Sequence, residues 1–309
     1  MQRYDKQSSI FALKFLSVNA LVFVLSYPFL LLVSLLPHPL FYGFSNVICW
    51  LIRDVLKYRK RKILKNVALA LPQRSEDEQR AIVHAFYQHM CDVFLEVIKS
   101  MSLSNAAIRR KFVAKNIEVL TDFEKQNRST IIICGHYSSW EWMLSLGLQL
   151  KQTPYGIYSK LTNPYFDRLI RRLRMRYKAD LISRFEAIAT IAKHQKNGVL
   201  GHYGFASDQA PRPKAKTYWR TFMGVEAPVF TGAERIAKEH DFPVVFADIQ
   251  RVKRGYYEVT FETITDAPKT QKENAITDRF ITLLEAQIER DPTQYLWSHN
   301  RFKHKRKKA

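Results

Sequence analysis

The N-terminal part of the chain holds a long apolar segment. Residues 15–36 are mostly Leu, Val, Phe and Ala, and none of them carries a formal charge. Because about 20 apolar helical residues cross a bilayer, the segment predicts a transmembrane helix. Pro28 leaves a second interpretation open, a buried or re-entrant hairpin broken at that proline. A cleavable signal peptide is disfavoured, since the run continues into Pro37-His38-Pro39 and not into a small-residue cleavage site.

Farther along the chain, apolar positions alternate between helical and strand periods. Four-residue steps after Ser75 predict a long core helix whose apolar face comprises Ile82, Phe86, Met90, Phe94 and Ile98. Apolar runs predict strands at 129–134, 155–158, 199–203, 242–249 and 256–261, with a possible edge strand at 218–222. Periodic segments predict helices from 138 onward and over 163–178, 185–196, 228–240 and 274–290. The alternation predicts an α/β fold, a mixed β-sheet flanked by helices.

The composition fits one main domain. Of the 309 residues 47% are hydrophobic, and with only 10 Gly and 12 Pro no low-complexity linker divides the chain. We therefore expect a membrane-anchoring segment at 1–45 and a large domain with a basic C-terminal tail at 46–309. The three cysteines are widely spaced and form no C-x-x-C motif, which fits a reducing compartment.

The charge balance is strongly basic. The 49 Lys and Arg against 28 Asp and Glu give a formal charge of +21, which could attract nucleic acid, an anionic membrane surface or a phosphorylated substrate. The cluster at 57–62, with Lys65, is denser than Arg3, Lys6 and Lys14 before the apolar segment. This asymmetry places the bulk of the chain in the cytoplasm.

His136 and Glu141 are the candidate catalytic residues. His136 follows the predicted strand 129–134, and parallel strands carry ligand sites at their carboxyl ends. If Glu141 lies in the first turn of the next helix, its carboxylate can accept from one imidazole nitrogen, so that the other acts as a base toward a hydroxyl. A structural alternative is a capping box, in which Ser138 and Glu141 only satisfy the start of the helix. Cys134 is expected to be buried in the sheet, not to act as a nucleophile.

Several motifs, taken in order, resemble the bacterial lipid A late acyltransferases, the lauroyl and myristoyl transferases of lipopolysaccharide assembly. The resemblance covers nearly the whole chain. It depends on His136-x4-Glu141, Tyr158 with Asn163-Pro164, Arg174 and Arg176, Asp208-Gln209, 232–235 and 295–303. Two positions depart from the family pattern: the ending His299-Asn300-Arg301-Phe302-Lys303 has Asn where the family has Arg, and Ala210-Pro211-Arg212-Pro213 follows Gln209. These departures bear on the acceptor more than on the reaction type.

The resemblance implies roles for particular residues. His136 and Glu141 match the family's H-x4-D/E catalytic motif, and Asp208 with Gln209 matches its substrate-binding loop. Arg174 is the better match to a family arginine near the site, and Arg176 is the alternative. A planar guanidinium suits a phosphate or a developing oxyanion, although these arginines could equally form a solvated helix face. Asp208 could instead cap the turn before Pro211.

The resemblance also implies a function. It implies a glycerolphosphate acyltransferase-like fold in which residues 46–309 form the catalytic domain. That domain moves an acyl chain from acyl carrier protein to a hydroxyl of a phosphorylated glycolipid, with no cofactor or metal, at the cytoplasmic face of the inner membrane. The expected partners are acyl carrier protein, the glycolipid acceptor and the membrane, with no nucleic acid. Alternatives are acyl transfer to another glycolipid or aminolipid, and a noncatalytic basic membrane adaptor.

Overall fold

A computed structural model describes residues 2–306, with side chains from residue 18 onward. The N-terminal apolar segment lies in one continuous helix, α1 (Gln2–Leu35), which passes through Pro28. The alternative hairpin broken at Pro28 is therefore wrong. Within α1 the window Val18–Leu35 is long and apolar enough to cross a membrane, and only 11% of it is buried.

Three further helices connect α1 to the rest of the chain. They are α2 (His38–Trp50), extended by a π-helical turn (Leu51–Val55), α3 (Lys60–Ala70) and α4 (Glu76–Lys99). The long core helix predicted after Ser75 is confirmed, and Ser75 and Glu78 form a capping box at its start. Phe94 departs from the prediction, because 49% of it is exposed and its ring contacts Trp140 edge-to-face.

The sheet has seven strands in the order β1-β9-β8-β2-β5-β3-β4. The strands are β1 (Phe112–Ala114), β2 (Thr130–Cys134), β3 (Thr153–Tyr158), β4 (Asp180–Ser183), β5 (Gly201–Ala206), β8 (Val244–Lys253) and β9 (Tyr256–Thr265). Every neighbouring pair is parallel except β8 and β9. The predicted mixed sheet is confirmed, and the parallel arrangement brings the carboxyl ends of β2, β5, β3 and β4 to one edge.

Helices cover both faces of this sheet. They are α5 (Asn105–Lys111), α6 (Glu118–Lys125), α7 (Pro164–Met175), α8 (Ala187–Lys196), α9 (Gly232–His240) and α10 (Ala275–Arg290). Alternation along β2 supplies both cores, because Ile131 and Ile133 pack into one hydrophobic cluster and Ile132 and Cys134 into the other. Asn163 caps α7 by accepting from the backbone N–H groups of its first turn.

Three predicted elements differ from the structure. The edge strand at 218–222 is β6 (Trp219–Phe222), which pairs with β7 (Val225–Pro228) in a separate two-stranded hairpin. The helix predicted from 138 is a 3₁₀ segment, Trp140–Leu148. The helix predicted at 228–240 begins at Gly232, because Pro228 is the last residue of β7. Strands β1 and β4 are too short, at three and four residues, to give a sequence signal of their own.

Candidate active site

His136 lies on the loop that follows β2, at the carboxyl edge of the sheet. The loop is fixed by the C-terminal segment, since Ser138 N donates to Gln294 O at 3.0 Å and Leu296 N donates to His136 O at 3.1 Å. Gly135 passes close to α10, where an added Cβ would lie 2.6 Å from a methyl carbon of Leu284. The predicted position of His136 at a strand's carboxyl end is therefore confirmed, and both sides of its loop are supported.

The carboxylate that contacts His136 is Asp208. Asp208 Oδ1 lies 2.6 Å from His136 Nδ1 and also accepts from the His136 backbone N–H at 3.1 Å. The strand register explains the meeting, because Cys134 pairs with Ala206 and each residue of the His–Asp pair lies two positions farther along. Asp208 is 2% exposed, and it contacts His136 directly. The possibility that it only caps a turn before Pro211 is therefore set aside.

The pair holds opposite charges in a largely buried environment. Burial by itself lowers the pKa of His136, but the Asp208 carboxylate, with a further contribution from Glu141, outweighs burial and raises it above 6.5. Burial likewise acts to raise the pKa of Asp208, and the His136 ring and backbone N–H reverse that effect, so this pKa is lowered. The geometry thus favours an ionised Asp208 that receives the Nδ1 proton of His136.

Glu141 contacts Arg174 and forms no hydrogen bond with His136 among the described residues. Its carboxylate accepts from Arg174 Nε at 2.9 Å and from Arg174 Nη2 at 2.7 Å. The expectation that Glu141 accepts from the imidazole is wrong, because Ser138 adopts a left-handed conformation (φ 54°) and Glu141 then enters the 3₁₀ segment. A double hydrogen bond of this kind fixes the plane of the guanidinium beside α7.

The capping box at Ser138 does not form. The residue preceding the 3₁₀ segment is Ser139, which makes no side-chain capping bond, and Ser138 Oγ is buried without a hydrogen-bond partner in the described part of the chain. Cys134 is buried in β2 as expected, and burial, with Asp208 nearby, raises its pKa to about 12. A thiol with that pKa is protonated at neutral pH and is a poor nucleophile.

The remaining predicted site residues divide between the site and its surroundings. Gln209 Nε2 lies 3.4 Å from His136 Nε2, so Gln209 borders the second imidazole nitrogen. Arg176 donates to the carbonyl of Ser100 at the end of α4 and lies over the ring of Tyr177. Arg176 therefore contacts the scaffold, whereas Arg174 contacts Glu141.

Three further residues, not predicted as part of the site, adjoin it in the structure. Trp140 contacts the His136 ring edge-to-face at 5.4 Å between ring centres, and the exposed Phe94 extends this aromatic surface. His299 Nε2 accepts from the Ala210 backbone N–H at 3.4 Å, which places the C-terminal segment against the Asp208 loop. Burial lowers the pKa of His299. The signals that could have pointed to this support are the aromatic and cationic composition of 295–303 and the family resemblance of that segment.

A cavity of about 240 Å³ lies elsewhere on the same sheet, between the outer strands and α8. It is lined by Tyr158, Lys160, Arg171, Ser183 and Glu186, among others, and not by His136, Asp208, Glu141 or Arg174. Arg174 and Glu141 instead border a much narrower cleft with Trp142 and Tyr177. We assign the chemistry to His136 on its contacts. The histidine that lines the larger cavity, His194, meets the Tyr203 hydroxyl at 3.1 Å and forms no hydrogen bond with a carboxylate among the described residues.

A histidine with one nitrogen tied to a buried aspartate and 20% of its side chain accessible is equipped for general-base chemistry. The fold and site are thus those of an enzyme. The chain matches the model of the bacterial lipid A biosynthesis acyltransferase family over residues 9–304. It belongs to that family and is an acyltransferase.

Individual relatives are distant but cover nearly the whole chain. It is 24% identical over 273 residues to a lipid A biosynthesis palmitoleoyltransferase of Escherichia coli strain K12, covering 87% of this chain and 86% of the relative. It is 23% identical over 279 residues to a lauroyltransferase of the same strain, with 88% of each covered. A lipid A biosynthesis acyltransferase of Haemophilus influenzae is 22% identical over 272 residues, 87% of this chain and 86% of the relative.

Proposed function

We propose that this protein transfers a fatty acyl chain from acyl carrier protein to a hydroxyl of a lipid A precursor, with His136 as the general base. The observation that carries the proposal is the contact of Asp208 with His136 Nδ1 at 2.6 Å. A proton held on Nδ1 leaves Nε2 as the basic nitrogen, facing Gln209 and the accessible side of the loop. The long contact with Gln209 is weak, and an acceptor hydroxyl can replace it.

The proposed transfer needs no covalent enzyme intermediate. His136 Nε2 takes the proton of the acceptor hydroxyl as its oxygen attacks the thioester carbonyl. The new C–O bond forms, the C–S bond breaks, and the imidazolium returns its proton to the departing thiolate. Asp208 stabilises the imidazolium between these steps, as an orienting carboxylate does in a catalytic triad. No metal takes part in these steps.

Glu141 has an indirect role in this proposal. It holds Arg174 through two guanidinium nitrogens, and Arg174 Nη1 has no hydrogen-bond partner among the described residues. A fixed guanidinium with a free N–H edge suits an acceptor phosphate or the oxyanion of the transition state. Gln209 borders the acceptor at His136. Arg176 contributes positive charge at the end of α7 and is not proposed to contact the substrate.

The surroundings of the site support an acidic protein donor and a lipid acceptor. Exposed cations follow α7 beside Arg174, at Arg168, Arg172, Arg176 and Lys178. Acyl carrier proteins are acidic, so this surface favours their approach. The N-terminal helix contacts α7 directly, because Phe23 stacks on Tyr165 and meets Phe166 edge-to-face. With the basic cluster at 57–62, this favours a catalytic domain on the cytoplasmic side of the inner membrane.

The test is a reconstituted reaction followed by mass spectrometry. Purified full-length protein, an acyl carrier protein thioester and a lipid A precursor should give a product heavier by one acyl chain. His136→Ala should abolish that product while membrane association is kept, and His84→Ala is the matched control, because His84 is exposed on α4. Full activity of His136→Ala would reject the base. Acylation of an aminolipid in place of the lipid A precursor would reject the acceptor.

A further inference from the structure

Helix α2 and the π-helical turn after it have apolar residues on both faces. One face packs on α4 and the core, through Phe41, Ser45 and Cys49. The opposite face is also apolar, and it is exposed. Its large residues are Leu40, Val47, Trp50, Leu51, Val55 and Leu56. A helix that is apolar all round is covered by protein or by lipid, and no described element covers this face.

Cations adjoin the end of this exposed face. Residues 38–65 contain seven Lys or Arg and a single acid, Asp54. Asp54 is already paired with Arg53. The exposed cations are Lys57, Arg59, Lys60, Arg61, Lys62 and Lys65. An apolar stripe with cations at its edge and Trp50 and Tyr58 near the boundary is typical of a helix lying in a membrane interface.

The face is continuous with the apolar surface of α1. Phe44 of α2 contacts Phe29 of α1 edge-to-face. Lys99 ties the end of α1 to α4 by donating to the carbonyls of Ser34 at 2.6 Å and Leu36 at 2.5 Å. Helix α2 is also held to α4, because Ser45 Oγ donates to Asp92 of α4 at 2.6 Å. The two apolar surfaces are therefore fixed relative to one another.

We propose that residues 40–56 form a second membrane contact, lying in the headgroup region of an anionic leaflet with the cations of 57–65 facing lipid phosphates. Apolar area and positive charge act together at such a surface, because each cation adds to the attraction for an anionic leaflet. A bilayer is favoured over a protein partner because the stripe adjoins a helix long enough to span a membrane. The inference does not depend on the acyl-transfer chemistry.

The test places an environment-sensitive fluorophore on this face. The native cysteines Cys49, Cys91 and Cys134 are buried, so a new exposed cysteine can be labelled selectively. The full chain is labelled at Val47→Cys or Leu51→Cys and reconstituted in vesicles of phosphatidylcholine and phosphatidylglycerol. Both labels should emit at shorter wavelength than the control labels at positions 188 and 199. Nitroxide-bearing lipids should quench both.

Matched controls are available on the far parts of the fold. Ile188→Cys on α8 and Val199→Cys before β5 replace apolar residues that are 46% and 38% exposed. Labels there should show neither the shift nor the quenching. Replacing Lys60, Arg61 and Lys62 by Gln should weaken quenching at position 51 when phosphatidylglycerol is present.

Three outcomes would overturn the inference. A shift at positions 47 and 51 without quenching by nitroxide lipids would mean that a protein, such as a second copy of this chain, covers the face. Unshifted emission at both positions would mean that the face stays in water. Equal quenching at positions 188 and 199 would mean that lipid contact is not specific to this face.

Discussion

Asp208 is expected to set both the tautomer and the proton affinity of His136. Asp208→Asn keeps the size of the side chain but removes the negative charge 2.6 Å from Nδ1. The amide can turn its NH₂ group toward Nδ1, which leaves the ring proton on Nε2. Nε2 is then a donor and cannot accept the proton of the acceptor hydroxyl.

The expected loss is large. The corresponding substitution in a Ser-His-Asp triad lowers kcat by about 10⁴. Asp208 Oδ1 accepts from both Nδ1 and the backbone N–H of His136, so an amide that turns its NH₂ group toward Nδ1 also loses the backbone bond. We expect a fall of about 10³ to 10⁴ here. At about 1.36 kcal/mol per tenfold, this corresponds to about 4 to 5.5 kcal/mol of transition-state stabilisation.

The pH dependence gives a second, independent readout. The base works when it is neutral, so wild-type activity should rise with pH through a pKa raised above 6.5 by Asp208. Removing that carboxylate lowers the pKa of His136, so the acid limb of the residual activity should move to lower pH. If the variant had only lost part of its folded population, the acid limb of its activity would stay at the wild-type pH and only the maximal activity would fall.

The assay is the initial rate of acyl transfer at saturating acceptor, measured across pH by mass spectrometry of the product. Asp122→Asn is the control, because Asp122 is an exposed partner of Lys125 at 2.7 Å on α6. Activity of Asp208→Asn within a few-fold of wild type, or an acid limb at the wild-type pH, would refute the assignment of Asp208 as the orienting carboxylate.

Three other predictions follow from contacts around the site and from a buried carboxyl group on α4. Glu141→Gln and Arg174→Gln should each lower kcat/KM, and the double variant should lose little more than either single one, because the two side chains act as one unit; full additivity would contradict this. Gly147→Ala should lower the Tm by the equivalent of about 1–3 kcal/mol, because its Cβ would overlap the Tyr177 carbonyl oxygen, and an unchanged Tm would contradict that reasoning. Burial raises the pKa of Glu96 from 4.5 to about 8, so the folded state keeps a proton that the unfolded state releases. The free energy of unfolding should therefore fall as pH rises through that interval, and Glu96→Gln should flatten the dependence in unfolding measurements.

The sequence pattern gave most of the fold, because long periodic segments and buried parallel strands carry strong signals. It placed the parallel strands β2, β3 and β5 and the helices that follow β3 and β9. It missed β1 and β4, which are only three and four residues long. The pairing of β1 also depends on β9, which lies far away in the chain. The strand at 218–222 was assigned to the edge of the main sheet, although β6 pairs locally with β7 across the tight turn at Met223 and Gly224.

The sequence identified His136 as the candidate base, but it did not identify the carboxylate that contacts it. His136 and Asp208 are 72 residues apart, and they meet because β2 and β5 are parallel neighbours in a particular register. A nearby carboxylate in the chain, Glu141, was assigned the role that Asp208 fills in the structure. The Glu141–Arg174 pair could not be derived from spacing either, since it depends on the 3₁₀ segment and on the position of α7.

Helix α7 connects the N-terminal helix α1 to Arg174. Asn163, which caps its N-terminus, donates to the Asn19 carbonyl of α1 at 3.2 Å. Arg174 lies 11 residues farther on, which is about 16 Å along a helix. Under the proposed function, a lipid acceptor that leaves the bilayer beside α1 would meet one end of α7, and the guanidinium held by Glu141 lies near the other. On that proposal we expect α1 to form part of the acceptor's path as well as an anchor, because it contacts the start of the helix that carries Arg174.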